Sequence, residues 1–459
     1  MKKSLITGIS FLLLFPALAQ QEDSAFIRRV AGEILANGRA YENLRTLTKQ
    51  VGARLSGSPQ MAKAEEWGLQ AMKALAPDRA WLQECMVPHW VRGGKDAATA
   101  QYNAPGGKPM VRSLDVLALG NSIGTGPAGL IAPVVEVASF DDLETKKDSL
   151  RGKIVFYNYA FNPAYVATFE AYRDAVPYRG QGASRAAKYG ALAVIVRSMS
   201  HSTDNHPHTG SLRYDSASPK VPALAIGLRD ADWLSAALKK GKVGVSMKTS
   251  GHFLPDTIGH NVIAEMRGSQ FPDEYITIGG HLDSWDVGEG AHDDGTGCVQ
   301  TIEILRAFKA LGYVPKRTIR FVLFANEENG LRGGNKYAEE ATAKGERHIF
   351  ALESDAGGFT PRGFGISAPD EQFKKISAWQ RLLAPYGALE FTRGGGGADI
   401  GPLARAQRTV LAGLTPDSQR YFDLHHARND VFEAVNKREL LLGAVNMAAL
   451  VYLVDKYGL

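Results

Sequence analysis

A chain of 459 residues is too long for one modest domain, so we expect two domains, one of them interrupted by the other. The formal net charge is +5, or 5 − 2 = +3 without Lys2 and Lys3, and no run of basic residues occurs. This near balance argues against nucleic acid as a partner.

The N-terminal segment has the pattern of a secretory signal peptide. Two lysines precede an apolar stretch, and Ala17-Leu18-Ala19 stands before a polar segment. The apolar stretch is shorter than the roughly 20 residues that a membrane-spanning helix needs. We therefore expect a signal peptide over residues 1–19, cleavage after Ala19, and a secreted or periplasmic protein with no membrane span.

The first part of the chain after this segment is helical in pattern. Residues 24–75 carry apolar side chains three and four positions apart, and a loop rich in glycine and serine at 51–60 interrupts them. A strand is predicted over 81–91. Cys85 and Cys298 are too far apart in sequence to suggest a disulfide framework, so we expect both to be free.

The sequence pattern of residues 112–251 differs from that of the preceding segment. Short β-type runs separated by glycines follow one another here, with one amphipathic helix predicted at 182–191. We expect this stretch to form an inserted β-rich domain, and residues 20–111 and 252–459 to form the main domain together. We also expect the inserted domain to form one wall of the substrate cleft and to restrict substrates to short molecules.

The remaining chain alternates strands with helices. Apolar strands are predicted at 274–281, 317–327, 348–358 and 408–414, and helices at 296–311 and 331–343. This alternation predicts an α/β fold with a mostly parallel central sheet flanked by helices. In such sheets, ligands bind at the carboxyl ends of the strands.

Metal-ligand side chains stand at these strand ends. One strand ends at His281, with Asp283 two residues later on the same side, and another ends in the adjacent carboxylates Glu327 and Glu328. A third ends near Asp355, and two further clusters supply the pairs Asp293/Asp294 and His425/His426.

Any one of these clusters is typical of a solvated loop, but five on neighbouring elements of one sheet indicate a metal site. Nitrogen and oxygen ligands with little usable cysteine are the set that zinc takes in hydrolytic sites. The groups exceed the needs of one ion, so they favour two metals bridged by a carboxylate and a water.

Five sequence segments resemble, in order and spacing, the zinc-binding segments of the M28 metallopeptidases: "GGHLDSW", "HDDGTG", "ANEENG", "ESDAGG" and "YFDLHHARND". Within that family the chain looks most like a carboxypeptidase branch. The likeness extends from "LTKQVGARLSGSP" to the C-terminus, and the inserted segment resembles a protease-associated domain. The resemblance implies the zinc-exopeptidase fold, two zinc ions per chain and a homodimer.

The resemblance also implies a role for each cluster. Five residues would hold the two zinc ions: His281 and Asp355 one ion, Glu328 and His426 the other, and Asp293 both. Glu327 would be the general base that takes a proton from the bridging water, and Asp283 would orient His281.

Two of these assignments have a neighbour as the alternative. His426 is chosen over His425 because Asp430 then follows four residues later, at the family's spacing. Asp293 is chosen over Asp294 because Gly297, four positions later, then matches the family's pattern. Either assignment could be displaced by one residue. The resemblance further implies a cis peptide bond between Asp293 and Asp294.

The segment "TRGGGGADIG" resembles the family's glycine-rich substrate loop. It departs from the family in having Ala398, where a polar residue is often found, before Asp399. The glycine run would let the backbone approach a ligand closely. We expect Gly397, Asp399 and His425 to bind substrate.

Together these features predict an exported di-zinc exopeptidase that hydrolyses dipeptides or short peptides as a carboxypeptidase or dipeptidase. Three alternatives stay open: an aminopeptidase of the same family, a single-zinc acyltransferase of the glutaminyl cyclase type, and a receptor-like relative without catalysis. The complete ligand set argues against the last.

Overall fold

The computed structural model describes the backbone of residues 9–459 and the side chains of residues 21–459. Part of the predicted signal peptide, residues 1–8, lies outside that range, and the side chains of the rest of it are not described. Its cleavage therefore stays a prediction.

Thirteen helices are found in the described range, and short 3₁₀ or π turns join several of them. They are α1 (Ile9–Asn37), α2 (Ala40–Thr46), α3 (Pro59–Lys73), α4 (Phe140–Thr145), α5 (Thr168–Ala187), α6 (Leu228–Lys240), α7 (Thr296–Ala310), α8 (Arg332–Ala343), α9 (Asp370–Ser377), α10 (Gln380–Leu383), α11 (Gly401–Gln407), α12 (Tyr421–Leu424) and α13 (Lys437–Tyr457).

Sixteen strands of the described range form two eight-stranded sheets. They are β1 (Arg79–Val91), β2 (Ala97–Asn103), β3 (Pro109–Leu114), β4 (Val116–Ala118), β5 (Leu130–Val137), β6 (Ile154–Tyr157), β7 (Ala193–Arg197), β8 (Ala223–Ile226), β9 (Val243–Lys248), β10 (His252–Met266), β11 (Phe271–His281), β12 (Arg317–Phe324), β13 (Arg347–Glu353), β14 (Pro361–Ser367), β15 (Glu390–Arg393) and β16 (Val410–Pro416).

The main sheet is mixed and mostly parallel, which confirms the predicted α/β class. Its strand order is β1-β10-β12-β11-β13-β16-β14-β15, and the four central strands β12, β11, β13 and β16 are mutually parallel. Helices α7 and α13 pack with these strands in the largest apolar core. The carboxyl ends of the central strands therefore meet at one edge.

The second sheet, in the order β3-β2-β9-β5-β6-β7-β8-β4, is also mixed and is consistent with an inserted domain. The chain reaches it from β1 and returns through β10, and these two strands pair with each other. The sheet begins at Ala97, before the expected boundary at residue 112. The hairpin of β2 and β3 was missed because the apolar residues of β2 are only alanines and one tyrosine, and β3 begins with a proline.

One helix of the inserted region is longer than predicted. Residues 182–191 were expected to be helical, whereas α5 starts at Thr168 and ends at Ala187. Pro177 lies inside it, and a proline removes a backbone donor and is typical of helix ends.

Two further expectations concern single elements. Within the described residues, α13 alone is long and apolar enough to cross a membrane, but 83% of its apolar window is buried, as in a core helix of a folded domain. Cys85 and Cys298 are both buried and unpaired.

Candidate metal centre

Three neighbouring parallel strands bring the first predicted ligands to one edge of the main sheet. His281 is the last residue of β11, Glu327 and Glu328 follow the end of β12, and Asp355 lies two residues beyond β13. Because β12 and β13 both pair with β11, these side chains converge on the same space.

Two connecting segments complete the cluster. Asp293 lies in a π turn that leads into α7, and the peptide bond between Asp293 and Asp294 is cis, as the family resemblance implied. His426 follows the short helix α12 and has a left-handed backbone with φ of 61°.

Asp293 stands at the centre of this cluster. Its Oδ1 lies 3.2 Å from His281 Nε2, and its Oδ2 lies 3.2 Å from His426 Nε2. On the far sides, Asp355 Oδ1 is 3.4 Å from His281 Nε2 and Glu328 Oε2 is 3.1 Å from His426 Nε2. Each oxygen of Asp293 thus faces a separate histidine and carboxylate pair.

The two neighbouring alternatives occupy different positions. Asp294 is fully buried and accepts hydrogen bonds from the backbone N–H groups of His281, at 3.1 Å, and Gly297, at 2.9 Å. His425 stacks on His426 with ring centroids 3.5 Å apart, and its Nε2 lies 3.7 Å from Asp293 Oδ2. Asp294 is therefore an anchor for the backbone, whereas His425 lies beside the cluster, close enough to join Asp293 and His426 around an ion.

Asp283 lies behind His281 but does not orient it in the expected way. The ring Nδ1–H of His281 donates to the backbone carbonyl of Asp283 at 2.9 Å, whereas the carboxylate Oδ1 is 3.8 Å away. That carboxylate accepts the backbone N–H groups of Glu327, at 3.0 Å, and Glu328, at 3.3 Å. The strand pattern correctly placed Asp283 behind His281. It could not show that the turn after the strand would bring the backbone carbonyl of Asp283, and not its carboxylate, to the histidine ring.

The hydrogen bonds of the histidines favour metal binding. Because Nδ1 of His281 donates to a carbonyl, its Nε2 is the nitrogen that is left for a metal ion once its own proton is lost, and it faces Asp293 and Asp355. In His426, Nδ1 lies 3.3 Å from the carbonyl oxygen of Thr209 and 3.3 Å from Nη1 of Arg179, both in the inserted region, so Nε2 is again the nitrogen that faces the carboxylates.

Two residues that sequence analysis did not assign hold the surrounding loops. Asp430 accepts the backbone N–H groups of His292, at 2.7 Å, and Asp293, at 3.2 Å. The fully buried Arg54 donates to three carbonyls of the segment between His281 and Asp293, including that of Gly290 at 2.9 Å. Arg54 lies in the "VGARLSGSP" stretch. A charged residue between the apolar Ala53 and Leu55 was the sequence feature that could have indicated a buried, structural arginine.

The cluster concentrates negative charge out of water. Burial, together with the Asp293 charge, raises the pKa of Glu328 to about 7. Burial also raises the pKa of Glu327 well above its ordinary value, with a further contribution from Asp355. Although burial lowers the pKa of His426, the adjacent Glu328 and Asp293 outweigh it and raise that pKa to about 9. Cations are the partners that would relieve this repulsion.

The donor set fits zinc. Two groups in the described chain could each hold an ion, namely His281, Asp293 and Asp355, and Asp293, His425 and His426. Oδ2 of Asp293 and Oε1 of Glu328 are buried and accept no hydrogen bond. Imidazole nitrogens with carboxylate oxygens are the ligands of hydrolytic zinc sites.

A cavity of about 550 Å³ opens onto this cluster. His425 lines it, as do aromatic residues of α5 and α12. Side chains of the inserted region form part of its wall, as expected: Asn121, Phe169, Tyr172, Arg179, Ser211 and Arg213.

The structure places Gly397 and Asp399 outside the lining of this cavity. A Cβ at Gly397 would lie 1.9 Å from the carboxyl carbon of Glu353, so this glycine accommodates a neighbouring side chain. Asp399 is fully buried, and burial raises its pKa well above the ordinary value, with the charge of Glu353 adding to the shift. The glycine run indicated that some group comes close to the backbone, but the sequence could not show that this group is the side chain of Glu353 and not a ligand.

Comparison with known proteins connects this geometry to one family. The sequence profile of Peptidase family M28 matches residues 261–451. Carboxypeptidase Q of Mus musculus is 35% identical over 417 residues, which cover 91% of this chain and 85% of the mouse protein. Carboxypeptidase Q of Homo sapiens is also 35% identical, over 420 residues that cover 91% and 86% of the two chains.

Solved structures show the same likeness. The crystal structure of a Peptidase M28 precursor from Shewanella amazonensis superposes with a TM-score of 0.89 at 32% identity, covering 96% of this chain and 98% of that one. A zinc aminopeptidase from Bacillus subtilis shares the fold at 21% identity, with a TM-score of 0.65 and coverage of 90% and 94%.

Proposed function

Since the chain belongs to peptidase family M28, as a carboxypeptidase Q-like zinc metallopeptidase, we propose that it is an exopeptidase that hydrolyses dipeptides or short peptides as a carboxypeptidase or dipeptidase. The observation that carries this proposal is the position of Asp293, whose two oxygens face two separate histidine and carboxylate pairs. This arrangement supports two zinc ions per chain.

In this proposal the ligands are divided between two ions that share one carboxylate. His281 and Asp355 would hold the first ion, Glu328 and His426 would hold the second, and Asp293 would be shared by both. Bound zinc polarises a scissile carbonyl and lowers the pKa of water towards neutrality. The chain supplies the buried, oriented ligands and the base.

Glu327 is the general base of the proposed reaction. Its backbone is fixed by Asp283, and its side chain lines the cavity beside Asp355. A carboxylate at this position takes the proton of the attacking water and returns it to the leaving amine. Burial raises the pKa of Glu327 above that of an exposed glutamate in the metal-free chain, which makes its carboxylate form the stronger base.

Substitution of Glu327 by glutamine tests this role. We expect Glu327→Gln to keep its zinc content and to lose about 10²–10⁴-fold in kcat on an unblocked dipeptide. Glu339→Gln, at an exposed position of α8, is the matched control and should behave as the wild type. A fully active Glu327→Gln enzyme with normal zinc would refute the role.

The zinc content of the protein distinguishes the proposed exopeptidase from the main alternative, a single-zinc acyltransferase. The acyltransferase of the glutaminyl cyclase type works with one zinc, so an active preparation with one zinc per chain would favour it. The exopeptidase proposal expects two. The sharing of Asp293 by both potential ligand groups favours the exopeptidase.

We also propose that the protein is exported, on the basis of the lysines, apolar stretch and alanines at its N-terminus. N-terminal sequencing of the protein recovered from the periplasm or medium should begin at Gln20. A dimer is the expected assembly, and light scattering of the purified protein should give twice the chain mass.

A further inference from the structure

The inserted region holds the segment that carries His426. This segment, residues 418–428, follows β16 and belongs to the main domain by its place in the chain. It is nevertheless hydrogen-bonded to the inserted region at several points along its length: Ser418 to Thr168, Gln419 to Val166, Asp423 to Ser200, His426 to Thr209 and Arg428 to Asp115. The position of His426 is therefore set by both domains.

Thr209 makes the contact nearest to the metal centre. Its backbone N–H donates to the carbonyl oxygen of His426 at 2.9 Å, and its own carbonyl oxygen lies 3.3 Å from Nδ1 of that histidine. Zinc binding at Nε2 requires the ring proton to be on Nδ1, and the Thr209 carbonyl is the acceptor for that proton. Nη1 of Arg179, which can only donate, reaches the same carbonyl at 3.5 Å. Thr209 thus fixes the backbone and the ring of His426 together.

The backbone conformation of His426 needs such support. Its φ of 61° lies in the left-handed region, which is unfavourable for a residue with a side chain. Residues persist in that region only where the surrounding structure enforces it. The hydrogen bond from the Thr209 N–H is one such restraint, because it holds the carbonyl that immediately follows this strained position.

Thr209 is itself fixed inside the inserted region. It is fully buried, and its Oγ1 donates to the carbonyl oxygen of Ala118 at 2.8 Å. Residues 118–120 and 209–212, which we call the clamp, are also joined by backbone hydrogen bonds of 2.9 and 3.0 Å that the N–H and carbonyl groups of Gly120 make. Because its two halves are bonded together, the clamp moves with the inserted region as one unit.

The clamp also packs against the main domain beside the metal centre. A Cβ at Gly120 would lie 1.8 Å from Cη2 of Trp285, so the indole ring is in direct contact with the clamp backbone. Trp285 is buried, and its ring meets that of His426 edge-to-face, with ring centroids 5.7 Å apart. Packing as well as hydrogen bonding therefore connects the inserted region to His426.

The ligands of the proposed first ion are positioned by the main sheet. His281 ends β11 and Asp355 follows β13, and these two strands pair with each other. The carbonyl that accepts the Nδ1–H of His281 is that of Asp283, in the same domain. A displacement of the inserted region would therefore disturb His426 and leave His281 and Asp355 in place.

We propose that Thr209 is a positioning residue for the second zinc ion, and that binding of this ion and docking of the inserted region stabilise each other. The inference rests on the two-zinc site of the proposed function and deepens it. The coupling is reciprocal by thermodynamic necessity: the docked region raises the affinity for the second zinc, and the second zinc stabilises the docked region. The affinity for the first zinc is independent of docking.

The two zinc affinities of Thr209→Val test the positioning role. Valine keeps the shape of threonine but loses the hydrogen bond to Ala118, so the clamp should loosen while the chain stays folded. Competition with a chelator should show wild-type affinity for one zinc and about 10- to 100-fold weaker affinity for the other, the usual effect of a change behind a metal ligand. Wild-type affinity for both ions would overturn the role, and so would an equal loss for both.

Thr318→Val is the matched control. Thr318 is also buried, and its Oγ1 donates to the carbonyl oxygen of Pro272 at 2.7 Å, near the start of β12 and away from the carboxyl edge of the sheet. This variant loses a comparable hydrogen bond, but both of its zinc affinities should equal those of the wild type. A selective loss of one zinc here too would assign the effect to general destabilisation and would overturn the role of Thr209.

Hydrogen exchange of the wild-type protein tests the reciprocal effect without a substitution. The clamp amides of Thr209, Gly120 and Leu212 are hydrogen-bonded, and they should exchange about 5- to 150-fold faster once the second zinc has been removed, the usual range of coupling between two sites. The amide of Val194, in the core of the inserted sheet, should keep its rate, because the region undocks without unfolding. Equal protection of the clamp with two, one and no zinc would overturn the coupling.

These measurements are independent of turnover, so they separate this inference from the proposed function. A protein with two zinc ions and the expected exchange pattern that hydrolyses no peptide would refute the exopeptidase alone. An active two-zinc enzyme whose clamp amides ignore the second zinc would refute the coupling alone.

Discussion

The carboxylate of Asp283 holds the backbone of Glu327, because its Oδ1 accepts the Glu327 N–H at 3.0 Å. Asp283 follows β11 and Glu327 follows β12, so this bond joins the ends of two adjacent strands. It fixes the direction in which the proposed base leaves its strand, while the carbonyl of Asp283 orients His281. One residue therefore positions both a proposed ligand and the proposed base.

Replacing Asp283 by asparagine should disturb that arrangement. An amide offers one oxygen where the carboxylate offers two, and its NH₂ would face the N–H of Glu327 or Glu328. We expect a loss of about 10- to 100-fold in kcat or zinc affinity, the usual effect of changing a residue behind a ligand. Steady-state kinetics with zinc analysis measures it, and Asp273→Asn, exposed at the start of β11, is the control. Wild-type values in Asp283→Asn would show that the bond does not matter.

Zinc binding to the metal-free protein should release protons. Burial raises the pKa of Glu328 to about 7 when no cation is present, so below pH 7 this carboxyl is largely protonated. Zinc needs this carboxylate and the neutral ring of His426, whose pKa is about 9, so zinc affinity should fall as the pH is lowered from 9 through 7. Calorimetric titration of the chelator-treated protein in two buffers with different ionisation enthalpies measures the released protons. Identical heats in both buffers would contradict this prediction.

Gly397→Ala should destabilise the protein without touching the cavity. The new methyl group would meet the carboxylate of Glu353, two residues before Asp355, so the end of β13 would have to shift. We expect about 1–3 kcal/mol of lost stability, as for other overpacked sites, and weaker zinc binding. Gly401→Ala is the matched control, since its Cβ would meet only the flexible end of Arg405 at 3.3 Å. Urea unfolding compares the two variants.

The ion pair of Glu346 with Arg320 predicts a pH dependence of stability. The two guanidinium nitrogens of Arg320 donate to the two oxygens of Glu346 at 2.6 and 2.8 Å. Burial alone would raise the pKa of Glu346, but hydrogen bonds from His348 and Arg320 outweigh it and lower the pKa to about 2. The contribution to stability is thus present above the unfolded value of 4.5 and is lost as the pH falls towards 2.

Glu346→Gln should therefore be less stable than the wild type by about 1–3 kcal/mol at pH 7, and the difference should shrink below pH 4.5. Urea unfolding at pH 7, 5, 4 and 3 measures this trend. The exposed Glu371→Gln serves as a control at each pH. A difference that stays constant down to pH 3 would contradict the assignment of the stabilising charge to Glu346.

The metal cluster was predictable because its ligands lie where apolar strands end. In a sequence, such a position is marked by an apolar run that stops at a polar residue. His281, Glu328 and Asp355 belong to this class. The direction of hydrogen bonds was not predictable, since Asp283 uses its carbonyl as well as its carboxylate. Arg54 was not assigned a role because it lies in a loop far from His281 in sequence, although it donates to the carbonyls that follow β11. No local pattern shows that such a residue folds back onto a strand end far along the chain.

The order of the metal ligands along the chain has a consequence for biogenesis. His281 emerges from the ribosome long before His426, and between them the chain makes five further strands of the main sheet, β12 to β16, and the carboxylates that follow β12 and β13. A nascent chain or a fragment that stops before residue 426 lacks the partner of Glu328, and it lacks the Asp430 anchor of the bridging turn as well. A chain that stops there keeps His281, Asp293 and Asp355 and lacks the second ligand group, so two zinc ions per chain would be expected only after synthesis has passed residue 430.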